Sequence, residues 1–105
     1  MKFLALLELS EGTDLSVLGP LLVPEELALW RSYRKGALRE MYFQRSPLVV
    51  TLVFEGASAD AVHEELASFP LIAEGLLNAR IVALGPWLPL EKLFDTALTA
   101  GAFNA

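Results

Sequence analysis

The residues with the clearest chemical potential lie close together near the middle of the 105-residue chain, at Arg39, Glu40, Tyr42 and Arg45. A carboxylate beside a phenol can transfer protons and donate a hydrogen bond to a substrate oxygen. An arginine fork binds an anionic group well. If the segment is a strand, alternation puts Arg39, Met41, Phe43 and Arg45 on one side, and Leu38, Glu40, Tyr42 and Gln44 on the other. We therefore predict Arg39 as a ligand-binding cation, and Glu40 and Tyr42 as candidates for catalytic proton transfer.

Each of these residues also has a structural interpretation. Arg39 can pair with a protein carboxylate such as Glu8 or Glu55, and Glu40 can be a surface or interface group. Tyr42 can pack its ring and leave the hydroxyl in water. Burial in apolar surroundings would raise the pKa of Glu40 and favour the role of general base. The sequence leaves open which face of the central hairpin lines a pocket, because a one-residue slip at the turn reverses the faces.

Three further side chains are candidates for binding or proton transfer. Trp30 and Tyr33 belong to a predicted helix and can line a ligand cavity, although core packing is the simpler interpretation of both. His63 is the chain's only histidine, and its neighbour Glu64 on an amphipathic helix indicates an exposed position. One histidine without cysteine or a cluster of acids does not favour a metal site, and none is expected. The sequence contains no nucleophile elbow, phosphate loop or dinucleotide fingerprint, and no organic cofactor is expected.

The composition narrows the class of protein. Hydrophobic residues make up 54% and the mean hydropathy is +0.48, above the roughly 45–50% typical of soluble chains. Charges interrupt every apolar stretch before the ~18 residues of a membrane helix, so we expect no membrane partner. The net charge of −5 and the lack of a basic cluster argue against nucleic acid. The apolar start is interrupted at Glu8, too early for a signal peptide, and we expect a cytoplasmic protein.

The helices and strands that must position these side chains are predicted from the spacing of apolar residues and from the prolines and glycines at their ends. Pro24 fits the first turn of a helix and Gly36 its end. The predicted inner face of this helix is a stripe of Leu27, Trp30 and Arg34 with the neighbouring Leu29 and Tyr33. The predicted elements are strand 3–9, helix 24–35, two strands within 36–55 around Ser46-Pro47, helix 59–68 and strand 77–84. This order predicts an α+β, ferredoxin-like split β-α-β fold, with a four-stranded antiparallel sheet and two helices on one face. We expect one domain over residues 1–105, in which 88–105 form a C-terminal extension.

The strands are apolar on both faces, which predicts self-association. In the first strand Leu4 and Leu6 lie on the face opposite Phe3, Ala5 and Leu7. One layer of helices can cover only one face of the sheet. We therefore predict a homodimer that pairs through the helix-free faces of two sheets.

Three local patterns, in this order, resemble the muconolactone isomerase-like members of the dimeric α+β barrel superfamily. They are the junction Tyr33-Arg34-Lys35-Gly36-Ala37-Leu38-Arg39-Glu40-Met41-Tyr42, the helix 58–66 leading into Phe69-Pro70-Leu71, and the strand Ala79–Leu84 followed by Pro86. The resemblance covers about residues 25–87 and depends on the order and spacing of the patterns. It implies a sheet-to-sheet dimer, often within a larger ring, no metal or organic cofactor, and proton transfer within an unsaturated lactone. The connector after Leu71 and the tail after Trp87 depart from the family pattern, so the substrate does not transfer with the fold.

The leading hypothesis is a cofactor-free isomerase of a small unsaturated lactone or acid, with Arg39 as anion anchor and Tyr42 or Glu40 in proton transfer. Trp30 and Tyr33 are the other predicted ligand contacts. One alternative is a non-catalytic small-molecule-binding or assembly protein of the same fold. Another is a cofactor-free oxygenase-like relative. The residues alone do not identify the substrate, the activity, the oligomer size beyond a dimer or the role of the tail.

Overall fold

The computed structural model describes residues 1–104, and Ala105 lies outside the described part. The strands are β1 (Lys2–Leu9), β2 (Leu38–Gln44), β3 (Val49–Glu55) and β4 (Leu77–Leu84). The α-helices are α1 (Leu22–Arg34), α2 (Ala59–Ala67), α3 (Pro70–Ala73) and α4 (Thr96–Thr99), and 3₁₀ segments span Leu15–Leu21, Leu88–Phe94 and Ala102–Asn104. None of the helices formed by residues 1–104 combines the length and apolar character that a membrane crossing requires.

The four strands form one antiparallel sheet in the order β2-β3-β1-β4. The central strand β1 aligns Phe3 with Phe54 of β3 and with Ala83 of β4. Residues that face α1 and α2 form the core, and Phe3, Phe54 and Phe69 are among its fully buried side chains. The predicted α+β class and the four-stranded ferredoxin-like sheet are confirmed.

The start of α1 differs from the prediction. The sequence predicts a break at Gly19-Pro20, but a 3₁₀ segment runs through both residues and leads directly into the helix at Leu22. The Asp14 carboxylate caps this segment by accepting a hydrogen bond from the Ser16 amide at 3.0 Å. Pro20 lies inside the 3₁₀ segment. Pro24 lies in the first turn of α1, where its missing amide hydrogen would have no helical partner. The helix ends as predicted before Gly36, whose φ of +85° suits glycine.

The predicted inner face of α1 is correct at Leu29 and wrong at Leu27, Trp30 and Tyr33, which are exposed. The residues buried on α1 are Glu25, Leu29 and Ser32, spaced by four and three residues. Trp30 and Tyr33 are exposed instead and stack on each other, with ring centroids 5.9 Å apart. The prediction placed the most apolar side chains inside, whereas the two aromatic rings cover each other at the surface. The inward position of Glu25 is tolerated because its carboxylate accepts a hydrogen bond.

The helix after the hairpin is close to its prediction. The Ser58 hydroxyl accepts a hydrogen bond from the Ala61 amide at 3.1 Å and so caps α2. Val62, Leu66 and Phe69 are buried, as predicted. The segment predicted as an irregular connector instead contains the single-turn helix α3.

A β-bulge in β2 decides the orientation of the central hairpin. Leu38 pairs with Phe54 but Glu40 pairs with Val53, so Arg39 is the extra residue. Past the bulge, Met41 faces the helices opposite Leu52. Leu38, Met41 and Phe43 therefore share the helix side, while Glu40, Tyr42 and Gln44 face away. Strict alternation had put Leu38 with Glu40, which is wrong because the bulge shifts the register by one residue.

The helix-free face of the sheet is apolar at its centre. Leu4 of β1 lies between Val53 of β3 and Val82 of β4 on this face. Leu4 and Val82 are half-buried by their neighbours and Val53 is buried. The predicted second apolar face is therefore limited to the centre of the sheet, because β2 contributes Glu40, Tyr42 and Gln44 to the same face.

Candidate active site

A cavity lies between the sheet and the first helical layer. Its volume is about 470 Å³, and its walls come from α1, the preceding 3₁₀ segment, α3 and one end of the sheet. Leucine and valine side chains dominate the walls. The charged residues among them are Glu25, Glu26 and Arg45. An apolar pocket with a few convergent polar groups is the usual form of a small-molecule site.

Glu25 is the buried acid of this cavity. Its side chain is 5% exposed, and its Oε1 atom accepts a hydrogen bond from the Leu71 amide at 2.9 Å. Desolvation by burial raises the pKa of Glu25 above its ordinary value of 4.5. The Leu71 hydrogen bond opposes that rise, and the nearby charge of Glu26 adds to it. The carboxyl group is thus closer than an exposed one to exchanging a proton near neutral pH.

The partner of Glu25 is explained by the local structure of α3. Leu71 follows Pro70 in the first turn of this helix, where amide hydrogens have no partner within the helix. Phe69, the residue before the helix, has no side chain that can cap it. Glu25 therefore caps α3 from a distance through Oε1. No hydrogen bond to Oε2 is found within residues 1–104, so this atom is available to a bound molecule.

Arg45 supplies positive charge at the same cavity. It follows β2 directly and its side chain is exposed. The ion pairs found among residues 1–104 join the Met1 amino group to Glu55 and Lys35 to Glu65, which leaves the Arg45 guanidinium without one in that part of the chain. A guanidinium can bind a carboxylate or an enolate oxygen through two parallel hydrogen bonds.

The structure brings two predicted site residues together, but away from the buried acid. The Tyr42 hydroxyl donates a hydrogen bond to Oε1 of Glu40 at 2.7 Å. That hydrogen bond, with the adjacent negative charge, raises the pKa of Tyr42. Tyr42 contributes to the cavity wall as part of β2, yet its side chain alternates to the helix-free face beside Glu40.

The other predicted residues lie outside the cavity. Nε of Arg39 donates a hydrogen bond to the Gly36 carbonyl at 2.6 Å, across the bulge. Trp30 and Tyr33 stack on the outer face of α1. His63 is exposed on α2. The ligand-binding roles of Arg39, Trp30 and Tyr33 stay predictions, and none of the three lines this cavity.

Sequence reasoning missed Glu25 because an acid in the first turn of a helix has a ready explanation in the helix dipole. The available signal was spacing. Glu25, Leu29 and Ser32 follow the four-three pattern of a single helix face, and Ser32 is small enough to pack closely. Ser32 is 1% exposed, and its hydroxyl has no hydrogen-bond partner among the described residues.

Metal binding finds no support in the side chains of residues 1–104. Within that range, no group of three or more histidine, cysteine, aspartate or glutamate side chains is arranged to hold an ion.

No protein-family model matches the chain. A search of curated proteins also finds no match. Solved structures that share the fold include the following two. The 5-chloro-2-hydroxyhydroquinone dehydrochlorinase from Burkholderia phenoliruptrix AC1100, in complex with 2,5-dihydroxybenzoquinone, matches with a TM-score of 0.67 and 18% identity over 81% of this chain and 94% of its own. Muconolactone isomerase matches with a TM-score of 0.66 and 22% identity over 82% of this chain and 90% of its own.

These similarities place the chain in a structural class, that of the ferredoxin-like α+β fold found in muconolactone isomerase. The predicted resemblance is confirmed for the fold. Each match spans at least 90% of the neighbour's own chain but only 81% or 82% of this chain.

Proposed function

We propose that this chain is a cytoplasmic, cofactor-free enzyme that isomerises a small unsaturated lactone or acid by proton transfer in the cavity of Glu25. The observation that carries the proposal is the Glu25 carboxylate, buried in an apolar wall and anchored through one oxygen to the Leu71 amide. The names of two proteins with this fold, an isomerase and a dehydrochlorinase, support a role in processing small molecules.

In the proposed reaction, Oε2 of Glu25 removes a proton from a carbon next to the substrate carbonyl. The electron pair of the broken C–H bond forms a new C=C bond, and negative charge develops on the carbonyl oxygen. The protonated carboxyl of Glu25 then returns the proton to a different carbon, which shifts the double bond and restores the carboxylate. A raised pKa favours both halves of this cycle. Arg45 binds the anionic group of the substrate and orients it.

The test compares turnover of a panel of unsaturated lactones by the parent, Glu25→Gln and Glu40→Gln. Glutamine keeps the shape of the side chain and can still accept the Leu71 hydrogen bond, but it cannot carry the proton. We expect Glu25→Gln to lose about 10²–10⁴-fold in kcat, and Glu40→Gln to stay close to the parent. Arg45→Gln should mainly raise KM. The reverse result, with loss only in Glu40→Gln, would move the chemistry to the helix-free face.

The second candidate for proton transfer is therefore the Glu40–Tyr42 pair, which the sequence predicted. Its support is the hydrogen bond between the two side chains. Pairing of two sheets would enclose both groups and strengthen their interaction. Arg39 would then have to bind the substrate anion from the bulge at the edge of this face.

A non-catalytic role is the alternative from another class. The apolar walls of the cavity would bind a small aromatic or alicyclic acid without converting it. Calorimetric binding by the parent without any turnover, and unchanged binding by Glu25→Gln, would support this role and contradict the enzyme proposal.

We also propose a homodimer in which the helix-free faces of two sheets pair. The support is the apolar centre around Leu4, Val53 and Val82. A larger ring built from such dimers belongs to the same proposal.

A further inference from the structure

The buried carboxylate and the guanidinium of the cavity lie towards opposite edges of the sheet. Glu25 is bonded to the Leu71 amide of α3, and α3 packs on β4. Arg45 directly follows β2, and its side chain is exposed rather than folded deep into the cavity. β2 and β4 are the two edge strands of the sheet, and three strand spacings of about 4.8 Å place these edges about 14 Å apart. A molecule that contacts both groups is therefore elongated.

The floor of the cavity between these two groups is apolar. Phe43, Val50 and Leu7 are register partners on β2, β3 and β1. They form one row across the helix side of the sheet, and all three line the cavity. Met41 and Leu52 are partners in the adjacent row and line it as well. The part of a ligand that lies across these rows gains free energy by leaving water rather than by hydrogen bonding.

The walls fit an aliphatic body better than an aromatic one. Nine of the lining residues are leucines, whereas the aromatic ones are Tyr42 and Phe43. The Tyr42 side chain is directed to the helix-free face, where its hydroxyl is bonded to Glu40. A ring in the cavity would thus meet few ring partners for stacked or edge-to-face contacts. Leucine side chains pack equally well against a flexible chain of methylene groups.

The size of the cavity points to the same class of ligand. At about 30 Å³ per molecule of liquid water, a volume of about 470 Å³ corresponds to about fifteen water molecules. A small lactone with a short acid arm would fill only part of this space. The remainder would hold water against leucine side chains, which is unfavourable. A ligand with a longer apolar body displaces that water.

We propose that the ligand of this cavity is an amphiphilic acid with a medium-length aliphatic body. Its carboxylate pairs with Arg45 at the β2 edge, and its body lies across Phe43, Val50 and Leu7. Its far end reaches the carboxyl group of Glu25. One part of this proposal rests on the proposed function, namely that the far end carries the unsaturated carbonyl group on which Glu25 acts.

The charges of the cavity favour this orientation over the reverse one. A ligand carboxylate beside Glu25 would be buried next to a second acid, without a positive partner. Glu26 also lines the cavity and adds negative charge on the α1 side. Arg45 is the positive group among the lining residues, and it forms no ion pair within residues 1–104. The anionic end of a ligand is therefore attracted to the β2 edge.

The first experiment measures binding of saturated straight-chain acids, from butanoate to dodecanoate, by calorimetry. These probes cannot be isomerised, so the measurement needs no turnover. We expect one acid bound per chain, with Kd falling about fourfold for each added methylene group until the body spans the cavity, and levelling off beyond that length. Arg45→Gln should weaken binding of each acid at least about tenfold, because a charge-assisted contact is lost. Arg34→Gln, at an exposed position in the last turn of α1, is the matched control and should leave Kd unchanged.

A second pair of variants tests the path across the sheet. Val50→Phe adds bulk in the middle of the row that the body crosses, so the gain in affinity should level off at a shorter acid. Val49→Phe places the same bulk on the opposite face of β3 and should leave that length unchanged. Val49 is the register partner of Glu8, next to Val50 along the strand, and does not line the cavity. Circular dichroism checks that each variant retains the fold.

An affinity that does not change with chain length would overturn the proposal. Equal effects of Arg45→Gln and Arg34→Gln would do the same, as would an unchanged levelling-off length in well-folded Val50→Phe. Binding that strengthens with chain length, without turnover of any unsaturated lactone or acid, would leave the ligand class intact and contradict only the proposed function. Turnover of a short unsaturated lactone, with no gain from a longer aliphatic body, would support the proposed function and overturn this inference.

Discussion

Glu25 and Glu40 are the same residue type in opposite environments. Glu25 lies inside an apolar cavity on the helix side of the sheet, and its contact is a backbone amide. Glu40 lies on the helix-free side, exposed in the single chain, and its contact is the Tyr42 hydroxyl. Burial raises the pKa of Glu25. The hydrogen bond to Glu40 raises the pKa of Tyr42.

The comparison shows how the side of the sheet on which a carboxylate lies affects its chemistry. A carboxylate removed from water holds its proton more tightly and can act as a proton carrier. A carboxylate in water mainly orients a neighbouring donor. The distinction depends on the helix-free face remaining open, and pairing of two sheets would reduce it. The predictions below change or measure that difference.

The largest effect is expected from a charge placed on the helix-free face. Leu4→Asp puts a carboxylate between Val53 and Val82, where a paired sheet would bury it without a partner. An uncompensated buried charge costs about 3–5 kcal/mol, so the dimer should dissociate at least about 100-fold more readily. Sedimentation or light scattering over a concentration series measures the dissociation constant directly.

Val23→Asp is the matched control, because Val23 is 78% exposed on α1 and should leave the dimer intact. Circular dichroism and thermal unfolding separate loss of the dimer from loss of the fold. A parent protein that is monomeric at all concentrations, while well folded, would contradict the predicted dimer. The helix-free face would then stay in water. Glu40 would remain exposed while Glu25 is buried, as in the single chain.

Much of this fold follows from the sequence because its strongest signals are local. Gly36 ends α1, Ser58 caps α2, and the apolar runs of the strands leave few alternatives to a sheet with helices on one face. Each of these signals acts on residues within about four positions along the chain, so the rules for apolar spacing and helix capping can predict it. The order of the elements then restricts the topology.

The site could not be predicted in the same way because it depends on two non-local facts. The bulge at Arg39 puts Leu38 and Glu40 on opposite faces of the sheet. Strict alternation along a strand does not predict such a bulge. The rotation of α1 about its axis places Glu25 inside and Trp30 outside. That rotation is compatible with burial of an acid only because the Leu71 amide, 46 residues away, donates to it.

A smaller effect is expected in the pH dependence of stability. The folded-state pKa of Glu25 is raised above its unfolded value, so this group favours the folded state below the unfolded pKa. That contribution is lost as pH rises through the folded pKa. In Glu25→Gln the loss is absent, because glutamine does not ionise. The stability of the variant relative to the parent should therefore increase from pH 4 to pH 8.

Urea unfolding at closely spaced pH values measures this difference. Glu64→Gln, on the exposed side of α2, controls for the removal of one negative charge from an acidic chain. A parent and Glu25→Gln pair whose free energies of unfolding differ by the same amount at every pH would contradict the raised pKa. It would also weaken the case for Glu25 as the proton carrier.

The smallest effect concerns the other member of the comparison. The Tyr42 pKa is raised from 10.0 because its hydroxyl donates to the charged Glu40, so Glu40→Gln should lower it towards that value. Absorbance of tyrosinate against pH reports the shift, and a Tyr33→Phe background leaves Tyr42 as the chain's single tyrosine. An unchanged midpoint would mean that the hydrogen bond does not persist in solution. If two sheets pair, Glu40 and Tyr42 lose water together, and their interaction strengthens in the lower local dielectric. The Tyr42 pKa shift should then be larger in the parent dimer than in Leu4→Asp. This titration therefore measures how far Glu40 in the dimer is removed from water, as Glu25 is in its cavity.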